Sequence, residues 1–447
     1  MSSTRGSLLT LGAAAFLVSA DARVIDPLLK IIAGEFDVSP ASAALTVTAY
    51  ALPYGLCQLF YGPLGDRVGQ LKVMATVMTL FAFGTMACAA VPNLWTFVLL
   101  RLLTGAVAAA IIPLSIAYIG DTFPYETRQS ALGRFMGALM LGQVLSATLG
   151  GVFAEHLDWR DIFVVFGVAA LIVAALLHRD ARRFPAVRRE RHFSLAAVLE
   201  MFRGPSASIV LASVFVEGLF VFGGLAFLAT SMLDRFPSLG PSEVGLMLAG
   251  YGVGGLFYAA TVKKLVPTIG ERGILVLGAS LLCAAYVLIG LLQAWWLFIP
   301  GMVLYGMGFF TMHGTLQTRA TEINPKARST AVSLFAFIFF LGQGLGPIAM
   351  GQAIRVAGYG TSFSAAGAGL LALGLWTQVP VRQAAAAETP AQPPTRPRGE
   401  RPSPLRRLVQ PRRGRDESTD RRRRRVPGTW PGFPRAAPQR PRVGPGP

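Results

Sequence analysis

Charge is what this sequence has least of. Asp, Glu, Lys and Arg make up 14% of its 447 residues, where a soluble domain carries about 25%. Mean hydropathy is +0.52, so an ordinary soluble globular domain is excluded. Cysteine and histidine are also sparse, at 3 and 4. Cys57, Cys88 and Cys283 each sit inside an apolar run; their spacing excludes a metal knuckle, and packing is their expected role. No metal site is expected. The G-x-x-x-x-G-K-[ST] loop that cradles nucleotide phosphates is missing, which disfavours an ATP-driven pump. No nucleophile stands beside a base in the polar stretches, so an enzyme is not expected, and no cofactor is implied. A cleavable leader is not expected either: the apolar stretch 7–20 runs on into a charged segment without a small-residue cleavage site.

What is present is a series of apolar runs of membrane-spanning length. We read twelve: 7–33, 42–61, 73–90, 94–119, 131–154, 162–177, 206–232, 244–262, 273–292, 295–315, 330–355 and 362–379. This predicts an all-α membrane protein. Lys and Arg of the short connections set orientation. Arg5, Arg67, Lys72, Arg128, Arg134, Lys263, Lys264, Arg272, Lys326 and Arg328 fall on one side, and Glu35, Asp37, Glu155, Asp158 and Asp161 on the other. The basic side is expected to be cytoplasmic, with both termini there.

The chain repeats itself. Arg128, Ala131, Gly142-Gln143, Gly151 and Phe163 recur 200 residues later as Arg328, Ala331, Gly342-Gln343, Gly351 and Phe363. A duplication explains this register better than chance, and predicts two pseudo-symmetric six-helix bundles, 1–178 and 206–380. A cytoplasmic central loop, 179–205, joins them, with a short amphipathic helix expected over 193–202. Beyond them lies 381–447, rich in Arg and Pro. It carries 17 Arg against 5 acids and lacks any apolar period, so it is expected to be disordered. It reads as a solvated extension or as an out-of-frame reading of GC-rich DNA, and nucleic acid is not an expected partner.

Between the second and third runs lies Gly62-Pro63-Leu64-Gly65-Asp66-Arg67-Val68-Gly69-Gln70-Leu71-Lys72. We read it as a tight turn, with Leu64 packed and Asp66 and Arg67 near the interface. The stretch resembles the loop 2–3 signature of the major facilitator superfamily at Gly62, Leu64, Asp66, Arg67 and Gly69, and departs from it at Gln70 and Leu71, where basic residues are usual. A worn second copy stands at Gly270-Glu271-Arg272-Gly273. The resemblance implies equivalent six-span halves with a substrate site between them at mid-membrane, and a gating role for the signature residues.

Ionisable groups inside the runs cost at least about 2.5–3.5 kcal/mol each at a helix centre. Asp21, Arg23 and Asp26 lie within the first run, Arg101 within the fourth, Glu217 within the seventh and His313 within the tenth. Arg23 and Asp26 are three apart, so they share a helical face and are placed to pair. Similar depth along their helices predicts contact between Asp26 and Arg101, and Lys30 is expected to snorkel outward. Arg101 and Gly105 match the superfamily's span-four pattern R-x-x-x-G, which implies a role for Arg101 in proton coupling. Carboxylates in oil mark proton pathways, since burial favours their neutral form and an approaching cation or water the charged one. Asp21, Asp26, Arg101 and Glu217 are therefore the proton-coupling candidates. Tyr50, Tyr54, Gln58, Phe220, Phe222, Tyr251, Phe309, His313 and Gln317 are the cavity candidates. An apolar cavity with one or two carboxylates suits lipophilic cations or neutral amphiphiles.

The fifth run holds Gly142, Gly150 and Gly151, with Ser146-Ala147 where the antiporter subset of the superfamily has Gly-Pro. A Gly-Pro stands instead at Gly346-Pro347, beyond Gly342. With Gly105, these are the helix-packing candidates, and Pro347 allows a kink. The wider pattern resembles bacterial twelve-span drug:proton antiporter-type efflux carriers. The expected function is proton-coupled efflux of small lipophilic or cationic compounds from a monomer in the bacterial inner membrane. Its partners are cargo, protons and lipid, and a proton gradient is the energy source. A uniporter or symporter of a sugar, metabolite or anion, and a non-transporting sensor or scaffold, stay open as alternatives.

Overall fold

The computed structural model describes residues 2–183, 205–323 and 328–377. Most of the central loop, Lys326 and the tail 381–447 lie outside the described residues. Among the described residues all regular structure is helical: α1 Ser2–Arg23, α2 Leu29–Glu35, α3 Pro40–Ala43, α4 Leu45–Val68, α5 Gln70–Ala87, α6 Leu94–Ala108, α7 Ile111–Thr122, α8 Tyr125–His156, α9 Asp161–Arg183, α10 Pro205–Arg235, α11 Pro241–Leu248, α12 Gly250–Gly290, α13 Phe298–Glu322 and α14 Arg328–Trp376. They form 10 segments long and apolar enough to cross a membrane. Side chains such as Leu9, Trp95, Ile172 and Leu256, at 60–77% exposure on the outer faces, would be a liability in water and are ordinary against lipid.

Local chemistry sets the ends. Ser39 accepts from the Ser42 amide ahead of Pro40, and Asn93 Oδ1 accepts from the Thr96 amide, so side chains satisfy the first orphan N–H groups. Several helices outrun their apolar stretches. α9 continues through His178 to Arg183, and the boundary expected at 178 falls inside it. Hydropathy measures the oil, whereas helical hydrogen bonding continues past it. Conversely, the first run is not one helix. α1 stops at Arg23 and a 3-10 turn, Asp26–Leu28, precedes α2, because Pro27 offers no N–H and disfavours helical geometry at the residue before it.

The stretch 62–72 is not a loop. α4 runs through Pro63 to Val68, and one residue, Gly69, makes the reversal at φ 108°, where a side chain would be strained. Gly65 serves packing: a Cβ there would stand 2.5 Å from Leu114 of α7. Leu64, expected to be packed, is 42% exposed, because the helix continues and turns it outward. Gln70 donates to Asp121 at 3.1 Å, so an uncharged donor to a carboxylate occupies the place where the signature usually has a cation.

Two segments are much longer than one crossing. α12 has a non-helical Gly270 at φ 65°, and α14 a non-helical Gly358 at φ 74°. Gly250, Gly254 and Gly255 meet Met302, Val303 and Phe310 in ascending order, while Gly278 and Gly290 of the same helix lie beside Met312 and Gly360. Leu282 touches Gly308 and Ile289 touches Gly301. The first part of α12 therefore runs along α13 and the second part against it: the chain reverses at Gly270. The same test reverses α14 at Gly358: Gly342 and Gly351 follow Phe215 and Phe227, whereas Gly369 lies back at Phe220 and Tyr359 at Asp234. The helix is not broken at Pro347, where a kink was allowed.

The sequence repeat is also a contact repeat. A Cβ on Gly105 would stand 2.2 Å from the Tyr50 carbonyl, and one on Gly306 would stand 1.9 Å from that of Tyr251. Gly142 presses on the Phe16 carbonyl and Gly342 on that of Phe215, at 2.3 and 2.1 Å by the same measure. Gly69 and Gly270 reverse the chain at matching places in the two copies.

Candidate functional site

Among the described residues, three acid–cation pairs lie deep in the interior, apart from the buried Asp180 beside Arg179 near the end of α9. Arg101 of α6 donates from Nη1 to Asp21 Oδ2 at 2.7 Å and from Nη2 to the Asp21 carbonyl at 3.0 Å, and both residues are fully buried. Its guanidinium lies 4.1 Å from the centre of the Tyr50 ring, a cation–π contact. The contact predicted between Asp26 and Arg101 is thus not the one formed. Depth was counted along a straight helix, and the break before Pro27 ends that count after Arg23. Asp26 instead meets Arg23 at 3.7 Å, and Arg23 stacks 4.0 Å from the centre of the Phe222 ring. In the other half of the molecule, Glu217 of α10, fully buried, lies 3.0 Å from His313 Nδ1. Each of the three carboxylates keeps one buried oxygen without a hydrogen-bond partner among the described residues, so each retains a place for a proton or a water.

These pairs surround one cavity of about 450 Å³, within the usual range of small-molecule sites. Tyr50, Tyr54, Phe309, His313 and Gln317 line it, as do Phe222, Arg23, Tyr258, Phe339 and Phe340, and the glutamines Gln143 and Gln343. Aromatic faces dominate: His313 stacks on Phe309 with centroids 5.1 Å apart, and Tyr54 packs on Phe340 at 4.6 Å. Asp21 lies behind the Tyr50 wall, and Glu217 reaches the cavity only through His313. The lining holds Arg23 and His313 but no carboxylate.

Three expected cavity residues lie elsewhere. Phe220 packs on Gly369, and its carbonyl accepts from Tyr286 at 2.5 Å; two helical residues on, about 200° around, Phe222 takes the inward place. Tyr251 lines a smaller void with Arg23 and Asp26, and Gln58 is half-buried on α4 outside the cavity. Arg23, Gln143, Gln343 and Tyr258 were missed as lining residues. The repeat already pointed to both glutamines, since each follows a glycine that docks its helix.

The halves close on each other at one end. Gly151 and Ala147 of α8 lie against Pro241 and Gly245 of α11, and Glu155 accepts from the Ser242 amide at 2.9 Å. Gly351 meets Ala41, and Lys30 pairs with Asp234 at 2.6 Å while donating to the Leu233 carbonyl. Lys30 does reach the surface, as expected, and finds a partner there. Glu35 binds Arg160 and Trp159 at this end. Toward the opposite end the walls part: Gly133 and Gly137 of α8 have nothing within 4 Å of where a Cβ would stand, and Met136 of the cavity wall is 38% exposed. The packing candidates Gly105, Gly142, Gly150, Gly151, Gly342 and Gly346 each have backbone within 3 Å of their Cβ positions.

A helical membrane protein with a sequence repeat and a central cavity closed at one end has the architecture of a membrane carrier. The sequence profile of the Major Facilitator Superfamily matches residues 11–347 and 238–415, and the chain belongs to that family. It is 26% identical over 371 residues to the uncharacterised MFS-type transporter YceJ of Bacillus subtilis, covering 78% of this chain and 90% of that one. It is 24% identical over 364 residues to a probable sugar efflux transporter of Helicobacter pylori, covering 80% and 91%. Among solved structures, a bacterial homolog of the human lysosomal transporter Spinster, inward-facing and unoccupied, superposes with a TM-score of 0.66 at 20% identity, over 85% of this chain and 95% of that one. The nucleoside transporter NupG gives 0.69 at 13% identity, over 83% and 98%.

Proposed function

We propose that this protein exports a small amphiphile across a bacterial inner membrane in exchange for protons, by alternating access of the seam cavity. The observation that carries this reading is the placement of three acid–cation pairs around one cavity, each acid with an unpartnered oxygen. A proton arriving on Asp21 weakens its hold on Arg101, whose guanidinium backs the Tyr50 wall. A proton shared by Glu217 and His313 changes the charge that faces the cargo. The acids are the ion carriers and the aromatic lining holds the cargo. Gly62, Leu64, Asp66, Arg67 and Gly69 are proposed to gate the end at which the cavity opens.

The reversals at Gly270 and Gly358 support counting two of the 10 apolar segments twice, which makes twelve crossings in two six-helix halves. With the basic connections in the cytoplasm, both termini are there, and the cavity is open inward. A monomer suffices, with lipid around it and the proton gradient as its energy source.

Of the two cargo classes read from the sequence, neutral amphiphiles fit better than cations. The lining offers Arg23 and His313 and no carboxylate, so a cation would meet like charge. The test is transport in everted vesicles. Asp21→Asn and Asp26→Asn are expected to abolish proton-driven uptake while counterflow exchange persists; full proton-driven activity in both variants overturns the coupling. Proton release on adding cargo to purified protein separates antiport from uniport and symport.

A further inference from the structure

Two side chains in the cavity have no assigned work. Gln143 of α8 and Gln343 of α14 both line it, one from each copy of the repeat. Among the described residues neither side-chain amide has a hydrogen-bond partner. Gln343 is only 6% exposed and lines the cavity, so water or a ligand in the cavity is the hydrogen-bond partner open to its amide. Their positions are fixed from behind. Gly142 lies against the Phe16 carbonyl and Gly342 against that of Phe215, so close that a methyl group would not fit. Each amide is thus carried rigidly by its own half and held toward the seam.

We infer that Gln143 and Gln343 grip opposite sides of one neutral, hydroxyl- or amide-bearing cargo and set the carrier's preference for uncharged polar groups. A carboxamide offers a carbonyl acceptor and two N–H donors without charge, so it matches a hydroxyl or amide and gives a cation little. The aromatic walls at Tyr54 and Phe309 take the apolar body of the same molecule. Because the two amides ride on different halves, both bonds form only while the halves face each other across the cargo. Occupancy then favours the closed passage between outward and inward states. The inference rests on the seam cavity being the cargo site and not on which ion drives transport.

Calorimetry on the purified full-length protein in lipid nanodiscs tests it, with phenyl β-D-glucoside as the neutral hydroxyl-bearing probe and tetraphenylphosphonium as a lipophilic cation lacking hydrogen-bonding groups. Gln143→Met and Gln343→Met keep length and volume while removing the amide. Each is expected to weaken glucoside binding about fivefold or more, the size of one lost hydrogen bond, with tetraphenylphosphonium unaffected. Gln143→Glu and Gln343→Glu are expected to raise tetraphenylphosphonium affinity, and they decide the matter if the Met variants do not fold. Wild-type protein that ignores the glucoside, or variants that bind both probes as wild type does, overturn the inference. If the glutamine variants behave as expected while Asp21→Asn and Asp26→Asn keep proton-driven transport, the coupling reading fails and this one stands; the reverse pattern sinks this one alone.

Discussion

The sharpest consequences at the scale of single residues belong to Asp21 and Arg101. They hold each other through two hydrogen bonds with no exposure, and removing one partner of such a pair strands the other as a buried charge. Arg101→Leu is therefore expected to lower stability by about 3–5 kcal/mol, read as a fall in melting temperature in detergent. The double variant Asp21→Leu with Arg101→Leu removes both charges and is expected to regain most of that stability, while proton-driven transport stays lost. A double variant as unstable as the single one would show that the pair acts through something besides charge. On the other side of the cavity, Glu217→Gln keeps a group able to hydrogen-bond His313 and removes its charge. Proton-driven uptake is expected to fall at least tenfold with exchange retained. Uptake at wild-type rate would remove Glu217 from the coupling. Both pairings join residues 80 and 96 positions apart. Sequence could say that each charge needed a partner, but not which one, since that depends on how each helix is rotated about its axis.

For the elements, the glycines divide by what stands opposite them. Gly105 lies against the Tyr50 backbone, which cannot swing aside as a flexible side chain would, so Gly105→Ala must push α6 off α4. The matching Gly306→Ala must do the same to α12 and α13. Both are expected to destabilise by several kcal/mol, in the range of overpacked cores or beyond. Gly133→Ala and Gly137→Ala face open space and are expected to be neutral or stabilising by up to about 1 kcal/mol from helix propensity alone. Melting temperatures of the four variants make the comparison, and equal effects would show that α6 and α4 can part at Gly105 without cost. The helical nature of the apolar runs and the packing of glycines between them were legible because both are carried by local composition. The run 62–72 was misread for a physical reason: glycines and a proline suggest a loop, but Gly65 is there for contact and Pro63 is tolerated within the helix, leaving the reversal to Gly69 alone.

For the whole molecule, the seam is closed at one end by contacts that include the Lys30–Asp234 pair, each side chain about 40% exposed. An exposed pair is worth about 0.2–1 kcal/mol, enough to shift the balance between the states closed and open at that end a few-fold. Asp234→Ala is expected to enrich the state open at that end by that factor, measured as label-to-label distances across the seam by electron–electron resonance. No change in the distance distribution would mean that the glycine contacts of α8 with α11 hold that end by themselves.

Hydropathy, the spacing of 200 in the sequence repeat and the scarcity of charge lie along the chain, so the sequence determined by itself the helical membrane class, the repeated glycine positions and the residues that have to be satisfied in oil. Where residues far apart in sequence meet was decided only by the tertiary structure. Arg23 and Asp26 pair as their spacing of three allows, but the break before Pro27 leaves Asp21 to Arg101, and helix rotation brings Phe222 rather than Phe220 to the cavity. Packing sets such rotations through contacts between residues far apart in sequence, and no local pattern records them.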